Sequence, residues 1–398
     1  MRARHLGVAL FCTAIAAHAA PAGSPPSAIP AEPAWTWASA TASPSGIAAA
    51  TLSDRESDLL AHCGVGEEGL RAVAKRLVAR KIHDLPYLDL DGLSFAQRSV
   101  GEPHVWPRAW VVSGRALDHA TTLKKMDSWR ASFPDLGERR CGVATGYAPD
   151  GTEVVAAVAL DALADMAPLA VRARTGAWLA LEARVNVPAT GARVVVLGPG
   201  GEPRNVPTSF EAGRVRAKFA PDRPGMFTVQ VVAEVATGPR PVLEAQLFAD
   251  VEPPTTMPNL AAPGEDAATG VSDGATALTR MVLALRADQH LAPMARDARL
   301  DALALAHARR MREAHTVGHD VGDGDPAERL QKAGIGARQA GENVAHAPSV
   351  QLAHRALFAS PSHRANLLRS DFASLGVAVV DDPDGSVWVV EVLGAGIR

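Results

Sequence analysis

What this 398-residue chain lacks narrows its function before any motif is read. It has no basic surplus: 40 Lys and Arg face 43 Asp and Glu, for a formal net charge of −3. A nucleic-acid binder shows a strong basic excess, so that class is excluded as a partner. It has no long hydrophobic run; the apolar stretch Leu6–Ala17 stops after 12 residues, too few to cross a bilayer as a helix. It has no His-Glu-x-x-His and no phosphate loop with a following Lys, which removes the sequence signs of zinc proteases and P-loop enzymes.

Cysteine is scarce as well, with three in the chain. Arg2 and Arg4, the Leu6–Ala17 run and the small residues of Ala17-His18-Ala19 predict a signal peptide over residues 1–20. The mature protein is then exported, to the periplasm or beyond, and Cys12 leaves with the peptide. Phe11 fills a position that a lipoprotein anchor on Cys12 needs small. Cys63 and Cys141 remain, and two cysteines in an exported chain are expected to pair. Neither has a catalytic context, so a thiol protease is not indicated.

Between the termini the composition changes several times. Residues 21–50 are rich in Pro, Ala, Ser and Thr without apolar periodicity, which predicts a disordered tether. Residues 51–165 read as an α+β unit: Leu70, Val73, Leu77 and Val78 trace a helical face, a second helix covers Ala116–Phe133, and strands follow around Gly142–Thr145 and Glu153–Leu160. Residues 166–252 hold short β-rich runs separated by Gly and Pro turns, the pattern of a β-sandwich. The stretch Phe219–Phe227, with Pro221-Asp222-Arg223-Pro224-Gly225 inside it, resembles a turn of bacterial immunoglobulin-like modules. Residues 253–273, poor in large apolar groups, read as a linker.

The most informative stretch runs from Asp297 to Leu393. Leu300, Leu303, Ala304, His307 and Met311 follow helical spacing. Gly318-His319-Asp320, Ala340-Gly341-Glu342-Asn343 and Ser360-Pro361-Ser362-His363-Arg364-Ala365-Asn366 come next, then Leu375–Val379, a Pro383-Asp384-Gly385 turn and Val387–Val392. This ordered set resembles the CAP superfamily of cysteine-rich secretory, antigen 5 and pathogenesis-related proteins, and within it the bacterial SCP-like branch. The resemblance implies that residues 274–398 form an α/β/α sandwich, an antiparallel sheet between helices. It also implies that His319, Glu342 and His363 face one cleft. Two imidazoles and a carboxylate suit Zn²⁺ or another divalent metal. Family members with a second glutamate carry it three residues after a tryptophan; here Leu357 and Ser360 hold those places. The same residues also have plain structural readings: Glu342 and Asn343 fixing a loop, and Ser360 and Pro361 starting a short helix that carries His363. His307 is expected in the core, and His315, His346 and His354 on the surface.

Sliding the chain by 234 residues sets Gly142-Val143-Ala144 on Gly376-Val377-Ala378 and Pro149-Asp150-Gly151 on Pro383-Asp384-Gly385. Ten of the 30 positions from Trp129 to Val158 are identical in this register. Residues 51–165 are then expected to be a degenerate CAP-like copy, with Trp129 in the place of His363 and Arg108 in that of Glu342. Three functional readings follow from the sequence. The first is an exported binding module for a lipid, peptide or cell-envelope component. The second is a metal-assisted hydrolase of peptide or envelope material, and the third a purely structural envelope scaffold.

Overall fold

Ser53 begins the first helix with a reciprocal cap: its hydroxyl accepts from the Glu56 N–H at 3.2 Å, and the Glu56 carboxylate accepts from the Ser53 N–H at 3.2 Å. Helix α1 (Asp54–Cys63) leads through strand β2 (Val65–Gly66) to α2 (Glu68–Ile82) and α3 (Leu90–Ser99). Strand β3 (Arg108–Gly114), helix α4 (His119–Ala131) and strands β4 (Glu138–Tyr147) and β5 (Glu153–Ala162) complete this part. The structure is a computed structural model that describes residues 34–42, 51–133, 136–199, 202–258 and 261–398. The expected signal peptide, with Cys12, lies outside the described residues.

The sheet order is β2-β4-β5-β3, and β5 is central and buried along its length. Alternation explains this, since successive side chains leave on opposite faces. Val155, Ala157 and Ala159 meet Leu59, Cys63 and Met126 from α1 and α4. Val154, Ala156, Val158 and Leu160 meet Leu70, Val73, Leu77 and Phe95 from α2 and α3. Cys63 and Cys141 are disulfide-bonded with their Cα atoms 5.9 Å apart, tying α1 to β4.

Nine strands of residues 164–249, joined by β1 (Ala40–Ala42), build two five-stranded sheets around one core. The strands used below are β9 (Gly191–Leu197), β13 (Gly225–Val235) and β14 (Gly238–Ala249), which pair in the order β9-β13-β14. In Arg214–Phe219 the pattern is plain: Val215, Ala217 and Phe219 point inward, while Arg214, Arg216 and Lys218 face solvent. Residues 34–42 depart from the expected tether. Trp35 is buried edge-on to Phe95, and Trp37 packs on Phe95 and Phe248 while donating to the Pro254 carbonyl at 2.8 Å. Two indoles give a Pro/Ala-rich segment enough apolar area to dock.

The C-terminal part holds α5 (Gly274–Asp288), β15 (Ala295–Arg296), α6 (Ala298–Ala314), α7 (Pro326–Lys332), β16 (Gln339–Ala347), α8 (Val350–Ala359), α9 (Pro361–Leu367), β17 (Ser374–Asp381) and β18 (Val387–Ala395). Its sheet order, β15-β17-β18-β16, repeats that of the first sheet element for element, antiparallel except at the two-residue strand β15. Helices α5, α8 and α9 cover one face and α6 and α7 the other, an α/β/α sandwich. Both sheets need glycine at one matching point. A Cβ on Gly142 would lie 2.0 Å from the Arg71 backbone nitrogen, and one on Gly376 2.3 Å from the Leu300 carbonyl carbon. In each case a helix rests directly on the strand.

Strand register corrects one expected correspondence. Val392 faces Glu342, and Val158 faces Ala109, so Ala109 rather than Arg108 takes the place of Glu342 in the first sheet. Ungapped sliding misses this because the paths to β3 and β16 differ by one residue. Trp129 stacks on Trp110 at 6.3 Å and lies edge-on to Phe133. The expected linker is also ordered where described. Ala262 and Ala268 are buried, and Glu265 pairs with Arg355 of α8 at 2.7 Å. That docking buries His354, whose Nε2 lies 3.0 Å from the Pro263 carbonyl, so this histidine is not on the surface. His315 and His346 are exposed, His346 stacking on Trp388 at 4.1 Å.

Candidate functional site

The Gly341-Glu342-Asn343 triplet on β16 sends each residue to a different task. Gly341 admits Asn366: a Cβ there would lie 2.7 Å from Asn366 Oδ1. Glu342, 5 % exposed, turns toward α6 and α7. Its Oε1 is 2.9 Å from His319 Nδ1 and 3.7 Å from His307 Nε2, and its Oε2 accepts from Arg329 Nη2 at 2.5 Å. Asn343 turns the other way, donating to Glu391 Oε2 at 2.9 Å and to the His363 carbonyl at 3.3 Å. Asn366 closes the network by donating to Asn343 Oδ1 at 2.9 Å and to the Glu342 carbonyl at 3.2 Å.

His319, Glu342 and His363 thus come together on one cleft of about 790 Å³. Its apolar walls include Val232, Pro239, Leu330 and Ile335, and Ser362 and Asn366 also line it. A carboxylate beside Nδ1 fixes that nitrogen of His319 as the donor and orients the ring. Burial pushes the His363 imidazole down to about 3, and the neighbouring His319 adds to the effect, so His363 is a neutral ring at physiological pH.

Two members of this site, Arg329 and His307, carry no signal in the sequence that places them in it. Arg329 holds Glu342 and also donates to the His319 carbonyl at 2.7 Å and to the Gly324 carbonyl. His307 is a core residue as expected, but it belongs to the same network: Nδ1 is 2.8 Å from Asp323 and Nε2 is 2.9 Å from the Gly318 carbonyl. Only the fold brings α6, α7 and β16 into one corner. The α9 start differs in a detail: Ser360 is the N-cap and Pro361 follows it, but the Ser360 hydroxyl makes no cap bond. Gly270-Val271-Ser272-Asp273-Gly274 has the letters of a hydrolase elbow, yet Asp273 caps α5 there, accepting from the Thr276 N–H at 2.7 Å.

Glu391, fully buried behind the cleft, has burial pushing its carboxyl up to about 7 against the lowering by Asn343. A carboxyl whose folded pKa is raised binds its proton more tightly in the native state. Its contribution is therefore full below the unfolded value near 4.5 and is lost as pH rises toward 7. We expect Glu391→Gln to remove a stability slope of the order of 3 kcal/mol between those pH values, leaving the variant the more stable above pH 7. Denaturant midpoints of both proteins from pH 4.5 to 8 measure it, and parallel curves would contradict it.

An antiparallel sheet between two helical layers, with a histidine–glutamate cleft at its edge strand, defines the class. Residues 279–392 match the family model "CAP: Cysteine-rich secretory protein family", and the C-terminal part of this chain is a CAP domain. Among solved structures, an outer surface protein of Borrelia burgdorferi is similar at 21 % identity, covering 31 % of this chain and 93 % of that one, with a TM-score of 0.29. An extracellular protein containing an SCP domain from Bacillus anthracis is similar at 15 % identity over 59 % of this chain and 86 % of that one, TM-score 0.29. A cysteine-rich secretory protein from Staphylococcus aureus is similar at 13 % identity, over 59 % and 82 %, TM-score 0.26. No curated protein matches the chain.

Among the described residues no group of three or more His, Cys, Asp and Glu side chains is arranged to hold a metal ion. The donor chemistry gives a reason. Both Glu342 oxygens are committed, one to His319 and one to the Arg329 guanidinium, which sets a fixed positive charge where a cation would approach. The residues present therefore do not fit the three-ligand set that the family resemblance implies. No helix among the described residues is long and apolar enough to cross a membrane.

Proposed function

We propose that this protein is an exported binding module whose CAP cleft takes an organic ligand with apolar bulk and one polar group. The observation that supports this reading is the pairing of Glu342 with Arg329 beneath a mixed apolar and polar cleft. The carboxylate orients His319, the guanidinium replaces a metal's charge, and two imidazoles remain to exchange hydrogen bonds with a bound group. A lipid and an extended peptide both have this chemistry. Export rests on the N-terminal sequence.

Native mass spectrometry of the full chain, incubated separately with phospholipids and with a defined peptide mixture, tests the reading. One adduct per chain is expected from one of the two. It should be lost in Ala340→Trp, which fills the cleft from an exposed position of β16. A folded protein with no adduct from either source, or an adduct indifferent to Ala340→Trp, would contradict it.

We further propose that residues 51–165 are a degenerate CAP-like copy that serves as a scaffold. The common strand order, the shared Val158 and Val392 register and the paired glycines Gly142 and Gly376 support it. Ala109 and Trp129 offer no carboxylate or imidazole at the matching places, so no ligand binding is assigned to this N-terminal copy. An immunoglobulin-like ancestry for the central sheets belongs with this reading.

A further inference from the structure

We infer that the central β-sandwich is part of the binding site, with Gln230 and Gly238 as positioning residues that set the spacing of the two cleft histidines. This rests on the reading that the cleft binds a ligand, and it adds where the geometry of that cleft comes from. Neither histidine is fixed by the CAP domain alone.

His319 sits on a loop between α6 and α7 that lies against the β13–β14 turn. The Thr237 carbonyl accepts from the His319 N–H at 2.8 Å and from the Asp320 N–H at 3.2 Å. Next to it Gly238 has φ +97°, and a Cβ there would lie 2.7 Å from the His319 Cβ. Glycine is required twice over, by backbone conformation and by the close approach. Arg240 on the same strand donates to the Val317 carbonyl at 3.3 Å. The loop before and after His319 is thus anchored on the sandwich.

His363 is held through its helix. Gln230 on β13 is 1 % exposed, and its amide bridges two domains. Nε2 donates to Ser360 Oγ at 3.2 Å and to Glu244 Oε2 at 2.9 Å, while Oε1 accepts from the Ser362 N–H at 3.2 Å. Ser360 and Ser362 are the N-cap and second residue of α9, immediately before His363. A buried amide using both ends in this way fixes the start of α9 against β13, because displacement would strand polar groups out of water. From the same strand pair Val232, Gly238 and Pro239 line the cleft. A ligand between the imidazoles therefore touches both domains.

The test uses the full chain, with side-chain NMR of the histidines and the adduct assay run in parallel. Gln230→Leu removes the bridge at similar volume, and Gly238→Ala presses on His319. The first should shift the His363 imidazole signals and leave those of His346 and His354 in place. The second should shift His319 and leave the same two in place. Either should weaken adduct formation by about tenfold, the scale of one or two net hydrogen bonds. Unmoved His319 and His363 signals in both folded variants would overturn the inference, as would equal shifts of all four histidines. If no adduct forms even in the unaltered protein, the NMR arm still decides the positioning claim while the binding reading fails by itself.

Discussion

Arg329→Leu is expected to destabilise the C-terminal domain by about 3–5 kcal/mol, the cost of stranding a buried charge whose partner is removed. Arg329 and Glu342 are both nearly buried, and the guanidinium serves the carboxylate, two carbonyls and Asp323 at once. Removing both charges should cost much less than removing one, since an apolar pair of similar volume leaves nothing unpaired. Hydrogen exchange of the β16 and β18 amides reads the local stability of Arg329→Leu and of the double variant Arg329→Leu with Glu342→Leu. A loss under about 1 kcal/mol in the single variant, or equal losses in both, would contradict the pairing as the anchor of this corner.

Cys63→Ala with Cys141→Ala should cost the N-terminal part about 4 kcal/mol, on the chain-entropy scale for a bridge 78 residues apart. Both sulfurs are fully buried among Leu59, Met126 and Val143, so alanine leaves a small cavity as well. Urea midpoints of the oxidised protein and the double variant measure the effect. Thiol titration of the unfolded, unreduced protein should find no reactive cysteine in the mature chain. Two reactive thiols there would refute the pairing.

The sequence carries the CAP domain because its signals are local or ordered. Helical spacing gives α6, the Asp-Gly turn gives the β17–β18 hairpin, and Gly341-Glu342-Asn343 gives the strand that holds the carboxylate. The disulfide follows from count and compartment. The partners of that carboxylate have no such signal. Arg329 is one arginine among many on a short helix, and Gln230 lies 130 positions from Ser360. Their roles exist only once α7, β13 and α9 meet. The segments read as tether and linker fail for a related reason. Composition records what a segment is made of, whereas Trp35, Trp37 and Ala268 are ordered by the surfaces they land on. His354 is the same case: it is buried by residues 261–268, which sequence periodicity does not relate to α8.

The central claim is that Glu342 is a positioning carboxylate held by Arg329, and that the cleft serves an organic ligand without a metal ion. Calorimetric titration of Zn²⁺ into the chelator-treated full chain tests it most directly, alongside His319→Ala with His363→Ala. The claim predicts only weak binding, the same in both proteins. One tight equivalent per chain, lost in the double variant and in Glu342→Gln, would contradict it.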